Sequence, residues 1–155
     1  MNPKAAQQAQ AYLRTRVLTA TPEQLQMMLF DGAVRFAEQA KAALEKKDFG
    51  TSHTALTRTQ KIVTELSGSL KHDVDPELCG RLASLYAFTH RKLVEANLRR
   101  TIEPLNEALQ ILHYQRETWA LLMRELGAQK AANAASKIDV PAPNAKMEAA
   151  ISFQG

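Results

Sequence analysis

Few residues in this chain could do chemistry on a substrate, and their spacing predicts that none does. The metal-ligating and nucleophilic side chains are four histidines (His53, His72, His90 and His113) and one cysteine, Cys79. A carboxylate-bridged di-metal bundle needs a glutamate three residues before a histidine, so that both point from one helix face. Here those positions hold Gly50, Ser69, Ala87 and Gln110. A His-Glu-x-x-His pair is missing, and a single thiol cannot build a zinc site. No P-loop, GxGxxG or GxSxG stretch is present. Cys79 falls in the first turn of an expected helix, a position where reactive thiols are found. A nucleophile also needs a base held beside it, and no residue is marked for that role. The expectation is therefore no enzyme, no metal and no cofactor, with the histidines on helix surfaces and Cys79 half-buried.

The elements that must position everything else are helical. Ala, Leu, Gln, Glu, Lys and Arg dominate, only six Gly and six Pro occur, and aromatics make up 6%. Such residues lose little on entering a helix. Thr21-Pro22-Glu23-Gln24 is a helix start with a capping-box pattern. Leu25, Met28, Leu29, Gly32, Phe36, Ala40 and Ala43 then recur at three and four residues, one apolar stripe on a helix of about 25 residues. Gly32 inside that stripe costs about 1 kcal/mol against Ala, which predicts a close approach of another element. After the turn at 47–50, Leu56, Thr59, Val63, Leu66 and Leu70 form the seam of a second helix over 51–70, with Ile62 beside it. Asp75-Pro76-Glu77 opens a third, lined by Leu78, Leu82, Leu85, Thr89, Leu93 and Ala96. Pro104 opens a fourth, striped by Leu105, Ala108, Leu109, Leu112, Trp119, Leu122, Met123 and Leu126, with Gln115 and Arg116 interrupting and Gly127 as its stop. The fold predicted is all-α, an antiparallel up-and-down four-helix bundle over residues 21–127. Residues 1–20 form a docking segment too short to hold a helix alone, and residues 128–155 an Ala/Pro-containing extension, helical to about Ala135 and mobile beyond.

Charge and hydropathy narrow the class of partner. The formal net charge is +4, with a basic excess over residues 1–20 and 76–100. No run exceeds two consecutive basic residues, and no aromatics are interleaved for base stacking, so nucleic acid is not predicted as a partner. No run approaches the ~18 apolar residues of a membrane span, the N-terminus lacks a signal-peptide core, and one cysteine gives no sign of an oxidising compartment. These features predict a cytosolic protein that engages no membrane. The apolar stripe of the first long helix is wide: Met27, Met28, Leu29, Phe30, Ala33 and Phe36 cover more than half its circumference. A surplus of that kind suits a groove for another amphipathic chain, and methionine adapts to variable apolar partners. Leu25, Leu29, Leu66, Leu82, Leu112 and Trp119 are assigned to the core. Tyr12, Val17, Phe30, Ala33, Ile62, Tyr86, Leu93 and Asn97 are the candidate groove residues.

Several segments, taken in order, resemble the FliS family of flagellin-specific export chaperones. They are Tyr12-x4-Val17-x-Thr19-Ala20-x-Pro22-x-x-Leu25 followed by MLFDGAVRF at 28–36, ELSGSL at 65–70, LYAFTHRKLVEAN at 85–97, and Trp119 seven residues after Leu112. The similarity spans about residues 12–122. It departs at Phe30, where the family usually has Tyr, and at Gln115, where it usually has Leu. The resemblance implies a compact antiparallel bundle that binds the C-terminal segment of flagellin, disordered when free and partly helical when bound. It implies a protein that blocks premature filament polymerisation and delivers flagellin to the export apparatus, with export-gate components as further partners and no catalysis. The alternative is a bundle adaptor or secretion regulator for a different amphipathic segment. Residues 12–20 and 147–153 are short apolar segments, either of which could fill the partner groove when it is empty.

Overall fold

The computed structural model describes residues 2–138 of the 155. Five helices follow one another: α1 (Pro3–Thr19), α2 (Pro22–Glu45), α3 (Phe49–Gly68), α4 (Pro76–Arg99) and α5 (Glu103–Ile138). Two compact units divide the chain, residues 1–120 and residues 121–155.

Local signals account for the helix starts. Thr21 Oγ1 accepts from Gln24 N at 3.1 Å, and Thr21 N donates back to Gln24 Oε1 at 3.0 Å, completing the capping box ahead of Pro22. Asp75 Oδ1 accepts from Leu78 N at 3.1 Å ahead of Pro76. Asp48 Oδ1 accepts from Thr51 N at 3.2 Å and opens α3. α4 ends on Arg100 in the left-handed conformation (φ 55), with its N–H donated to Ala96 O and its guanidinium 4.5 Å above the Phe49 ring.

The Asp48 cap carries a pH signature. The Thr51 hydroxyl, then the Thr51 backbone N–H, hold its carboxyl below the ordinary value of 3.8. A depressed folded pKa stabilises the fold above that unfolded value, and the contribution is lost as pH falls through the folded one. Asp48→Ala is therefore expected to lower the melting temperature at neutral pH. The gap from wild type should close as pH falls below 3.8 and through the depressed folded value, read by circular dichroism melts across acidic pH.

Cross-helix contacts set the topology of α2 to α5. His53 near the start of α3 meets Asn97 near the end of α4, with Nδ1 and Nδ2 3.0 Å apart. Lys92 on α4 pairs with Glu107 on α5 at 2.8 Å. His113 Nε2 on α5 lies 2.9 Å from Glu38 Oε1 on α2. Trp119 Nε1, farther along α5, donates to Glu23 O at the start of α2, at 3.1 Å. Each pair joins residues that run in opposite directions, so α2–α3–α4–α5 is an up-and-down bundle. The buried side of α2 carries Ala33, Ala37, Ala40 and Ala43, small side chains that let neighbouring helices approach closely. Gly32 belongs to the same face: a Cβ there would sit 3.2 Å from Ile62 Cδ1, the close approach that the stripe predicts.

The core is apolar and closed. Leu56, Val63, Leu66, Leu93, Leu105 and Leu112 are fully buried, each worth about 1.5–3 kcal/mol of transfer free energy. Thr59 and Thr89 are buried with them, and each satisfies its hydroxyl on its own helix, at Ala55 O (2.8 Å) and Leu85 O (2.9 Å). Gln115 is different: it is 8% exposed, and neither Nε2 nor Oε1 has a partner among the described residues.

Two sequence expectations need correction. α1 is a full helix, capped by Asn2 with Pro3 in its first turn, but it buries none of its residues. The docked segment expected over 1–20 is thus a helix with no buried face. Its Ala- and Gln-rich composition supplies propensity, while Leu13 and Leu18 point to open solvent. Gly127 does not stop α5, which continues to Ile138. The Ala-rich run after it sustains the helix at the cost of one glycine. Residues 128–138 are consequently helical, and the 147–153 segment lies outside the described residues.

Candidate partner-binding grooves

The apolar stripes of α2, α3 and α4 leave grooves where two helices splay. The first lies between α3 and α4. Val63, Thr64, Ser67 and Gly68 form one wall and Tyr86, Ala87, His90 and Arg91 the other, enclosing about 570 Å³. It continues along α3 through Thr57, Gln60 and Lys61. Thr57 and Thr64 turn their hydroxyls back onto His53 O and Gln60 O, at 2.8 and 3.0 Å. The groove therefore sees polar residues whose hydrogen bonds are already made. Tyr86 forms its floor: the side chain is 3% exposed, and desolvation pushes the phenol up to about 12, keeping it a neutral donor at physiological pH.

The second groove, about 480 Å³, lies at the start of α2. Leu25, Leu29, Leu70 and Trp119 supply its apolar surface, and Glu23, Glu65 and Lys71 its edge. Trp119 is fixed there by the indole bond to Glu23 O and by the tilted Phe30 ring, 6.3 Å away between centroids. Assigning Leu25, Leu29 and Trp119 wholly to the core thus needs amendment: all three are half-buried and also line this groove.

The eight candidate groove residues do not form one site. Tyr12 and Val17 on α1 are 66% and 42% exposed, with the Arg16 guanidinium 6.0 Å from the Tyr12 ring. Phe30, Ala33 and Leu93 lie in the core and have no surface to offer in this conformation. The stripe holding them is wide, but α3 and α5 consume it. Ile62 is half-buried, packed into the space over Gly32. Asn97 is half-buried and bonded to His53. Of the eight, Tyr86 both belongs to the core and lines the α3–α4 groove, as its neighbour Val63 does. Sequence reasoning passed over Thr64, Gly68, His90 and Arg91. For Thr64 and Gly68 a signal was present, as a stripe of small and polar residues at three- and four-residue spacing on α3, but such a stripe reads as solvated surface; His90 and Arg91 on α4 gave none. Among the described residues, no group of three or more His, Cys, Asp and Glu gathers to hold a metal, and no helix is long and apolar enough to cross a membrane. Cys79 is buried, its Sγ 3.3 Å from Lys71 O.

A closed apolar core, grooves between paired helices and an α1 that buries none of its residues define an all-α helix-bundle protein. Residues 5–126 match the family of flagellar protein FliS, and the chain belongs to that family. It is 31% identical over 109 residues to the flagellar secretion chaperone FliS of Bacillus subtilis, covering 70% of this chain and 80% of that protein. It is 32% identical over 112 residues to the flagellar secretion chaperone FliS of Salmonella typhimurium, covering 72% and 83%. A solved structure described as a flagellar chaperone from bacteria shares the fold, with a TM-score of 0.62 at 16% identity over 76% of this chain and 98% of that one.

Proposed function

We propose that this protein is a cytosolic export chaperone that holds the C-terminal segment of flagellin. It prevents that segment from polymerising early and delivers it to the flagellar export apparatus, whose gate components are further partners. The observation that carries this reading is the family match over residues 5–126, nearly the whole of the α1–α5 framework and both grooves. The relatives' description as flagellar secretion chaperones supports the same role. Physical chemistry agrees with it. Folding a disordered segment on binding costs about 2–5 kcal/mol, which only a large wrapped surface offsets. The α3–α4 groove, the Trp119 groove and the exposed apolar residues of α1 are spread over several faces, as wrapping requires.

The test is co-elution on size exclusion. The full chain should co-elute with full-length flagellin and not with flagellin lacking its C-terminal segment. Co-elution with both would favour an adaptor that reads another amphipathic segment. Co-elution with neither overturns the proposal.

A further inference from the structure

The α3–α4 groove carries cations that no carboxylate of its own fold neutralises, although the Arg91 guanidinium rests 5.8 Å from the centroid of the Phe88 ring. Lys61 and Arg91 are exposed at its rim with His90 between them, and none of the three makes an ion pair among the described residues. Other cations nearby are engaged: Lys92 by Glu95 and Glu107, Arg99 by Glu95, Arg81 by Glu77. Glu65 is the one acidic side chain at this rim. Between the walls lie Val63 and the buried Tyr86 ring, with Ala87 exposed beside them. From Thr57 to Gly68 the wall runs eleven helical steps, about 16 Å at roughly 1.5 Å each, or three turns. An occupant of that length, with one apolar face, is a short helix.

We propose that this groove seats an acidic amphipathic helix of the client. Small apolar residues lie over Val63, Ala87 and Gly68, and carboxylates face Lys61, His90 and Arg91. This rests on the flagellin reading and deepens it by giving the chemistry of the stretch that is held. Complementary charge at a rim mainly sets encounter rate and register, while the apolar floor sets residence.

Gly68 provides a clean probe. A Cβ there meets nothing within 4 Å, so Gly68→Trp places an indole in the groove without displacing the chain. Gly80, equally open, takes the same substitution as a control away from the groove. Binding of the full chain to a peptide of the flagellin C-terminal segment is measured by titration calorimetry at low and high salt. Gly68→Trp should weaken binding by about tenfold or more, and Gly80→Trp should leave it unchanged. Lys61→Glu combined with Arg91→Glu should weaken it about tenfold at low salt and abolish the fall in affinity that wild type shows on adding salt. The same peptide with its Asp and Glu replaced by Asn and Gln should bind wild type like the charge-reversed protein binds the original. Melting curves should be unaltered, because all the substituted positions are exposed. If wild type binds and every variant matches it, the groove assignment fails while the chaperone reading stands. If only Gly68→Trp weakens binding, the groove holds the client but its acidic character is overturned. If wild type does not bind the peptide, the chaperone reading falls and this inference with it.

Discussion

Gln115→Leu is expected to stabilise the protein by about 1–3 kcal/mol, the cost of leaving a buried polar group unsatisfied. Gln115 follows Leu105, Ala108, Leu109 and Leu112 along the buried side of α5, and both its amide atoms are orphaned. Thr59 and Thr89 carry no such penalty, since each returns its hydroxyl to its own helix. A glutamine's longer side chain cannot fold back onto its own helix's carbonyls in the same way. Leucine removes the donor and acceptor and keeps most of the volume, whereas Gln115→Ala removes the amide but opens a cavity and should gain less or lose. Urea titration followed by circular dichroism reads the change as a higher midpoint at constant slope. An unchanged or lower midpoint for the leucine variant would show the amide to be hydrogen-bonded in solution.

Much of the fold was legible because its signals are local. The Thr21–Gln24 box, the Asp75-Pro76 start and the tight approach at Gly32 each depend on residues a few positions apart, or on a glycine that has no other reason to interrupt a stripe. Propensity without periodicity was harder to weigh. α1 and the part of α5 beyond Gly127 are helices of good formers with little buried face, so a search for apolar stripes underestimates both. The candidate site was less legible for a different reason. A stripe shows which way a helix faces but not how many neighbours share that face. Phe30 looked surplus to one seam, yet it meets Trp119 from an element 89 positions away. Leu93 and Ala33 were consumed in the same manner. Exposed apolar side chains sit instead on α1, at Tyr12, Leu13, Val17 and Leu18, and on α4 and α5, at Leu78, Leu98, Tyr114 and Leu121. The α3–α4 groove was hidden because its walls are threonine, serine and glycine, whose polarity reads as solvent until the back-bonded hydroxyls are seen.

Core packing and partner contact can be separated by pairing two truncations. Leu93 is 0% exposed, and Leu93→Ala removes three buried carbons from α4 where it meets its neighbours. The expected loss is about 2–5 kcal/mol, from lost transfer free energy plus the cavity left behind. That is a large share of the ~5–15 kcal/mol that holds a domain of this kind together. The effect should appear as a lower urea midpoint. Flagellin affinity measured well below the melting temperature should stay near wild type, because the side chain offers the client nothing. Tyr12→Ala is expected to do the opposite. A side chain 66% exposed on a helix with no buried residue contributes within about 0.5 kcal/mol to stability. If α1 forms part of the client's wrapped surface, however, the same truncation should weaken flagellin binding several-fold. The two variants thus exchange phenotypes. A Leu93→Ala protein that keeps its midpoint but loses flagellin would move Leu93 out of the core and into the site. A Tyr12→Ala protein unchanged in both would remove α1 from the binding surface and leave the two grooves to carry it.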